Sequence, residues 1–143
     1  MGATVIGYFP GMTDEQLESQ PGFWNDCKAW GNWMAECENE LAMVEAVKKL
    51  GTASILTFKT DPMEDDEVEW VTPAQLRDAA MKLRDAIRNG APGSEVILKV
   101  YEKGANRMDP VADEMIRDLE DIIAIADWSE QEGAKEITLE VNW

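Results

Sequence analysis

The sequence contains no histidine and holds only two cysteines among its 143 residues. The lack of histidine excludes Ser-His and Cys-His nucleophilic catalysis and removes the most common general base of enzymes. Cys27 and Cys37 lie in a segment predicted as helix, about 15 Å apart along its axis, which is too far for a disulfide. Zinc sites use four ligands, typically paired cysteines with histidine, so we expect two reduced thiols and no metal.

Long apolar runs and glycine-rich phosphate loops are also missing. No segment approaches the roughly 20 apolar residues that span a bilayer, and no basic start precedes an apolar stretch as in a signal peptide. Ile6 stands where a myristoylation motif has serine or threonine. Neither GxGxxG nor GxxxxGK occurs, which argues against a bound nucleotide. We therefore predict a cytoplasmic protein without a cofactor.

Bases are scarce relative to acids, with 13 lysines and arginines against 29 aspartates and glutamates, for a net charge of −16 at pH 7. A surface this negative repels phosphate backbones and anionic membranes, so we expect no binding to nucleic acid or to membranes. It favours solubility and attraction to a basic protein partner. The sequence leaves the oligomeric state open.

The pattern of secondary structure predicts an α+β fold, with a small mixed or antiparallel sheet and three or four helices packed on it. A hydrophobic content of 45% argues for a packed globule, and the length is that of one domain, so we predict a single domain over 1–143. A terminal strand that runs to the last residue makes us expect a complete domain.

Strands are predicted at 3–9, 53–59, 68–71 and 136–143. In the last of these Ile137, Leu139, Val141 and Trp143 alternate with polar residues, which predicts one buried face. Capping boxes at Thr13 and Thr72 predict two helix starts. Further helices are predicted over 23–50 and from Asp109-Pro110 to Gly133. The helix after Thr72 is predicted to carry an apolar face of Leu76, Ala80, Leu83 and Ile87, and the last helix one of Val111, Met115, Leu119, Ile122 and Ala126. Residues 95–101 suit a strand and a short helix equally well.

The densest stretch of aromatic residues, cysteines and acids is FWNDCKAWGNWMAECENE, residues 23–40. On a helical wheel its apolar residues fall within about 80°, which is the pattern of a buried face. They are Phe23, Cys27, Trp30, Met34 and Cys37, and Trp33 flanks the same face. Trp24 lies off this face, so it is a candidate surface anchor. The acids Glu36, Glu38 and Glu40 are expected to face water, where they are available to a basic partner.

An acidic loop over 61–69 is the second candidate for interaction. Asp66 and Thr72 occupy the sixth and twelfth positions of a calcium loop, where glycine and glutamate are required, so we expect a solvated charge run. Such a loop suits docking to a basic partner, and it would do so better if the neighbouring tryptophan is exposed. Its candidate residues are Asp61, Glu64, Asp65, Asp66, Glu67 and Trp70.

A basic strip stands out within the helix that follows the Thr72 cap. Arg77, Arg84 and Arg88 fall within about 40° of each other on its surface. Two interpretations compete. The three side chains form an anion-binding strip, or they pair with nearby carboxylates, the alternative that we prefer.

In small size, acidity and tryptophan content the chain resembles bacterial immunity proteins, which neutralise basic toxins. The resemblance is one of type and transfers no residues. We expect a non-enzymatic interaction protein of the bacterial cytosol that binds a basic protein partner, as a toxin-immunity protein or an inhibitor does. One alternative is a small-ligand binder or enzyme with a carboxylate/arginine pocket. Another is an oligomeric accessory protein.

Overall fold

The computed structural model describes residues 4–21, 70–102 and 111–142. Within them the chain forms an α+β fold with a two-stranded antiparallel sheet and four helices. The elements are β1 (Thr4–Tyr8), α1 (Asp14–Ser19), α2 (Pro73–Asn89), α3 (Ser94–Glu102), α4 (Val111–Gln131) and β2 (Thr138–Asn142). The helix predicted over 23–50, the strand over 53–59, the loop over 61–69 and Trp143 lie outside the described residues.

Both predicted capping boxes are confirmed. The Oγ1 atom of Thr13 accepts from the amide of Gln16 at 3.1 Å, and the Gln16 side chain accepts from the Thr13 amide at 3.0 Å. The same pair of bonds joins Thr72 to Gln75, at 3.1 and 2.9 Å. Side-chain acceptors thus satisfy amides that the first turn of a helix leaves unpaired.

The ambiguous segment 95–101 is helical and belongs to α3. Ser94 and Ile97 are buried and Leu98 is half-buried, which is the spacing of one helical face. This face packs against α4. The β-branched residues of this segment favour a strand, but burial of Ile97 against another helix outweighs that preference.

The core lies between α2 and α4, which run antiparallel, since Arg77 near the start of α2 pairs with Asp127 near the end of α4. The predicted apolar face of α2 is confirmed, with Leu76, Ala80, Leu83 and Ile87 all buried. On α4 the predicted residues Met115, Leu119, Ile122 and Ala126 are fully buried and Val111 is half-buried. The buried face of α4 is wider than predicted and also includes Ile125, Trp128 and Ser129.

In the sheet, Tyr8 of β1 lies opposite Thr138 of β2. Just before β2, Ile137 exchanges two backbone hydrogen bonds with Val71, at 2.7 and 3.1 Å. The prediction of one buried face is wrong at Thr138, which is fully buried. Thr138 shares its face with Ile6, which is 4% exposed, so the side of the sheet away from α4 is also covered at this point.

Close contact between α4 and the sheet depends on Gly7. A Cβ atom at this position would lie 2.6 Å from Cγ2 of Ile125 and 3.2 Å from Cδ1 of Ile137. Any side chain at residue 7 would therefore push α4 away from β1, and glycine is the residue that allows the two to touch.

Candidate functional site

An open groove of about 710 Å³ lies at one end of the helix layer, where β1 and α4 end and α2 begins. Three separate segments of the chain form it. They are the turn after β1 together with Gln16 of α1, the N-cap of α2, and the α4–β2 connection. The lining residues are Phe9, Pro10, Gly11, Gln16, Thr72, Glu132, Gly133, Ala134, Lys135 and Glu136.

The β1–α1 turn provides the apolar part of the groove. The carbonyl of Phe9 accepts from the amide of Met12 at 3.1 Å, which closes the turn. The Phe9 ring packs on Trp128 of α4 with centroids 5.5 Å apart and planes tilted by 50°. This contact anchors the turn to the core, because tilted aromatic pairs stabilise a fold by more than the burial of their apolar area alone.

The α4–β2 connection provides the polar part. Gly133 has φ +84° and ends α4, donating its amide to the Glu130 carbonyl at 3.0 Å. The amide of Ala134 donates to the Ser129 carbonyl at 2.9 Å, which completes a Schellman ending of the helix. The chain then turns toward β2, and this turn leaves Glu132, Lys135 and Glu136 exposed on the groove.

Several exposed acids on the groove and on α1 have no ion-pair partner among the described residues. Neither Glu132 nor Glu136 forms an ion pair within the described part of the chain. The same holds for Asp14, Glu15 and Glu18, which are exposed on α1 beside the lining residue Gln16. Lys135 is the cation among the lining residues. With two glutamates against one lysine, the lining of the groove carries more negative than positive charge.

The three arginines predicted as a basic strip all pair with carboxylates of the same chain. Arg77 contacts Asp127 at 2.5 Å and Glu130 at 3.2 Å, and the hydrogen bond with Asp127 is the main reason why the pKa of Arg77 is raised. The other two use α2 and α4 carboxylates: Arg84 contacts Asp85 at 3.2 Å, and Arg88 contacts Asp85 at 3.8 Å and Glu120 at 3.3 Å. Binding of an external anion by this strip stays a prediction.

Of the predicted interaction residues, the structure describes Trp70, which is 36% exposed. It precedes the Val71 bridge and does not line the groove. The others lie outside the described residues: Trp24, Glu36, Glu38, Glu40, Asp61, Glu64, Asp65, Asp66 and Glu67.

No pattern in the sequence indicates Phe9, Glu132, Lys135 and Glu136 as binding residues. The local signals at this place were a Pro-Gly turn after β1 and a terminating Gly133, which mark chain reversals and carry no sign of binding. The groove combines segments more than 50 residues apart in the chain. No short window of the sequence therefore contains it.

In the described segments, no group of three or more acidic or cysteine side chains is placed to hold a metal ion. None of the described helices is both long enough and apolar enough to cross a membrane. Comparison of the chain with protein-family models, with curated proteins and with solved structures gives no match.

Proposed function

We propose that this chain is a non-enzymatic, acidic interaction protein of the bacterial cytosol that binds a basic protein partner, in the manner of a toxin-immunity protein or an inhibitor. One observation carries the proposal. The carboxylates around the groove are unpaired and exposed, whereas Arg77, Arg84 and Arg88 are held by carboxylates of their own chain.

This division of charge leaves the protein with an outward negative field. Exposed carboxylates raise the association rate with a positively charged partner and repel negatively charged ones. Internal pairing of the arginines reduces the number of cations that oppose this field. We also infer that residues 1–143 form a single domain, with three or four helices on its sheet.

The alternative of an enzyme or small-ligand binder requires carboxylates and an arginine to converge in one pocket. The groove contains Glu132 and Glu136, but none of its lining residues is an arginine. An anionic ligand would meet two glutamates and the single Lys135. The geometry of the groove therefore favours a cationic partner over this alternative.

Affinity capture from the source cell at about 50 mM and about 500 mM salt tests the proposal, because salt screens exposed charges. We expect a basic protein to be retained at low salt and released at high salt. The captured protein is then purified, and its association rate is measured with the wild type and with two charge variants.

Glu15→Gln/Glu18→Gln removes two exposed acids from α1 and should lower the association rate severalfold at low salt. Lys99→Gln removes an exposed, unpaired base from α3 and should leave the rate equal or raise it. Capture of only neutral or acidic proteins would show that the proposal is wrong. So would an association rate that changes neither with salt nor in these variants.

A further inference from the structure

The groove is where we place the contact with a basic partner, and its lining residues indicate which side chains of that partner would bind. We propose that the groove binds an extended segment of the partner, with an apolar side chain against Phe9 and Pro10 and a lysine or arginine between Glu132 and Glu136. This inference rests on the proposed function and adds the binding site and the recognised residues.

The size and openness of the groove suit an extended segment. Its volume of about 710 Å³ lies in the range of pockets that hold a ligand of a few side chains, about 300–1,000 Å³. A Cβ atom at Gly11 or at Gly133 would meet no atom within 4 Å, so the backbone at both glycines faces open space. An extended chain can approach the backbone at these two points without displacing a side chain.

The lining combines an aromatic anchor with a charged rim. Phe9 is 8% exposed and is held by Trp128, so it offers a small, fixed apolar surface. Glu132 and Glu136 line the same groove and are exposed. A buried apolar contact surrounded by polar groups is the usual arrangement of a binding hot spot.

The helix start that borders the groove does not favour an anion. Pro73 has no amide hydrogen, the Gln75 amide donates to Thr72 Oγ1, and the Leu76 amide donates to the Thr72 carbonyl at 3.1 Å. The capping box thus occupies the donors that a phosphate or carboxylate would use, apart from Ala74. The charge of the site is set by its glutamates.

The test uses the full-length protein and a fluorescent eight-residue peptide with one leucine and two arginines in a glycine-serine background. Two matched peptides replace the arginines by glutamates or the leucine by serine. Fluorescence anisotropy measures affinity. We expect the wild type to bind the first peptide and to bind each matched peptide more weakly, because one loses the charge and the other the apolar anchor.

Three variants locate the site. Glu132→Gln/Glu136→Gln should weaken binding of the first peptide at least about tenfold, because it removes both carboxylates that meet the arginines. Lys135→Gln should tighten binding about twofold to threefold, because it removes a repelling cation. A gain of affinity cannot result from a damaged fold.

Glu95→Gln/Asp113→Gln is the control that removes the same charge elsewhere. Asp113 lies at the start of α4, about 30 Å from the groove by the length of that helix, and Glu95 lies in the first turn of α3 at the same far end. This control should change affinity less than about twofold, because charges beyond a Debye length are screened. In amide NMR spectra, added peptide should shift Gly11, Gly133 and Glu136.

Equal losses in the groove variant and the control would overturn the groove as the site while leaving the proposed function standing. Tighter binding of the glutamate peptide, or weaker binding by Lys135→Gln, would overturn the charge assignment. If the wild type binds no peptide although a basic partner has been captured in a salt-dependent manner, the extended-segment mode is wrong and the function stands. If neither is bound, both are wrong.

Discussion

The side-chain amide of Gln20 forms a two-way bridge to the peptide of Gly7. The Gly7 amide donates to Oε1 of Gln20 at 2.9 Å, and Nε2 of Gln20 donates to the Gly7 carbonyl at 3.2 Å and to the Leu17 carbonyl at 3.1 Å. Gln20 is 4% exposed. Among the described residues, its amide therefore takes the place of a strand partner for Gly7.

Replacing Gln20 by alanine should lower the free energy of unfolding by about 1–3 kcal/mol, because the buried polar groups of Gly7 lose their partners. Chemical denaturation measures the change. The matched control is Gln131→Ala, an exposed glutamine at the end of α4, for which we expect a change within about 0.5 kcal/mol. Equal effects of the two substitutions would contradict the bridge.

Gly7→Ala should cost about 1–3 kcal/mol of stability through overpacking against Ile125. The added Cβ would lie 2.6 Å from Cγ2 of Ile125, which is 2% exposed and has no room to move. Ile125→Ala removes that methyl group, so the cost of Gly7→Ala should shrink in this background. A double-mutant cycle from denaturation curves measures the coupling. A coupling of zero would show that the two residues do not press on each other.

The Arg77–Asp127 pair should contribute modestly to the packing of α2 on α4. The side chains are 26% and 49% exposed, so we expect a coupling energy of about 0.5–1 kcal/mol that falls as salt is added. A cycle of Arg77→Gln and Asp127→Asn measures it. The reference is the more exposed Lys82–Asp78 pair within α2, with an expected coupling of about 0.3–0.5 kcal/mol. A smaller coupling for Arg77 than for Lys82 would contradict this ranking.

Trp128 should tolerate phenylalanine far better than alanine. Its Nε1 atom is buried and has no hydrogen-bond acceptor in the structure as described, while its ring packs on Phe9. Alanine would remove the packing at a cost of about 3–5 kcal/mol. Phenylalanine keeps a ring against Phe9 and removes the unsatisfied donor, so its cost should be less than half as large. Similar losses for both variants in thermal and chemical unfolding would indicate that Nε1 has a partner.

The elements with strong local signals were predictable from the sequence. Thr13 and Thr72 predict helix starts, because a threonine followed three residues later by glutamine satisfies free amides of the first turn with local side chains. The buried faces of α2 and α4 follow from the period of their apolar residues. The segment 95–101 was not predictable, because its helical state depends on burial of Ile97 against α4.

The candidate site was not predictable from local patterns. Spacing within α2 predicts a strip of Arg77, Arg84 and Arg88, but Arg77 and Arg88 have partners on another helix, Asp127 and Glu120. The groove joins Phe9 to Glu132 and Glu136, and no pattern within either segment indicates that they meet. The burial of Gln20 is of the same kind, because its partner Gly7 belongs to a different element.

Net charge, the exclusion of histidine-dependent catalysis, the helix starts and the apolar faces all follow from the residues, because they depend on residue type and on spacing within a few turns. Packing establishes which charges are neutralised, that Thr138 is buried, and that three distant segments line a groove. Pairing, burial and concavity are properties of contacts between elements, and those contacts exist only once α2, α4 and the sheet have packed together.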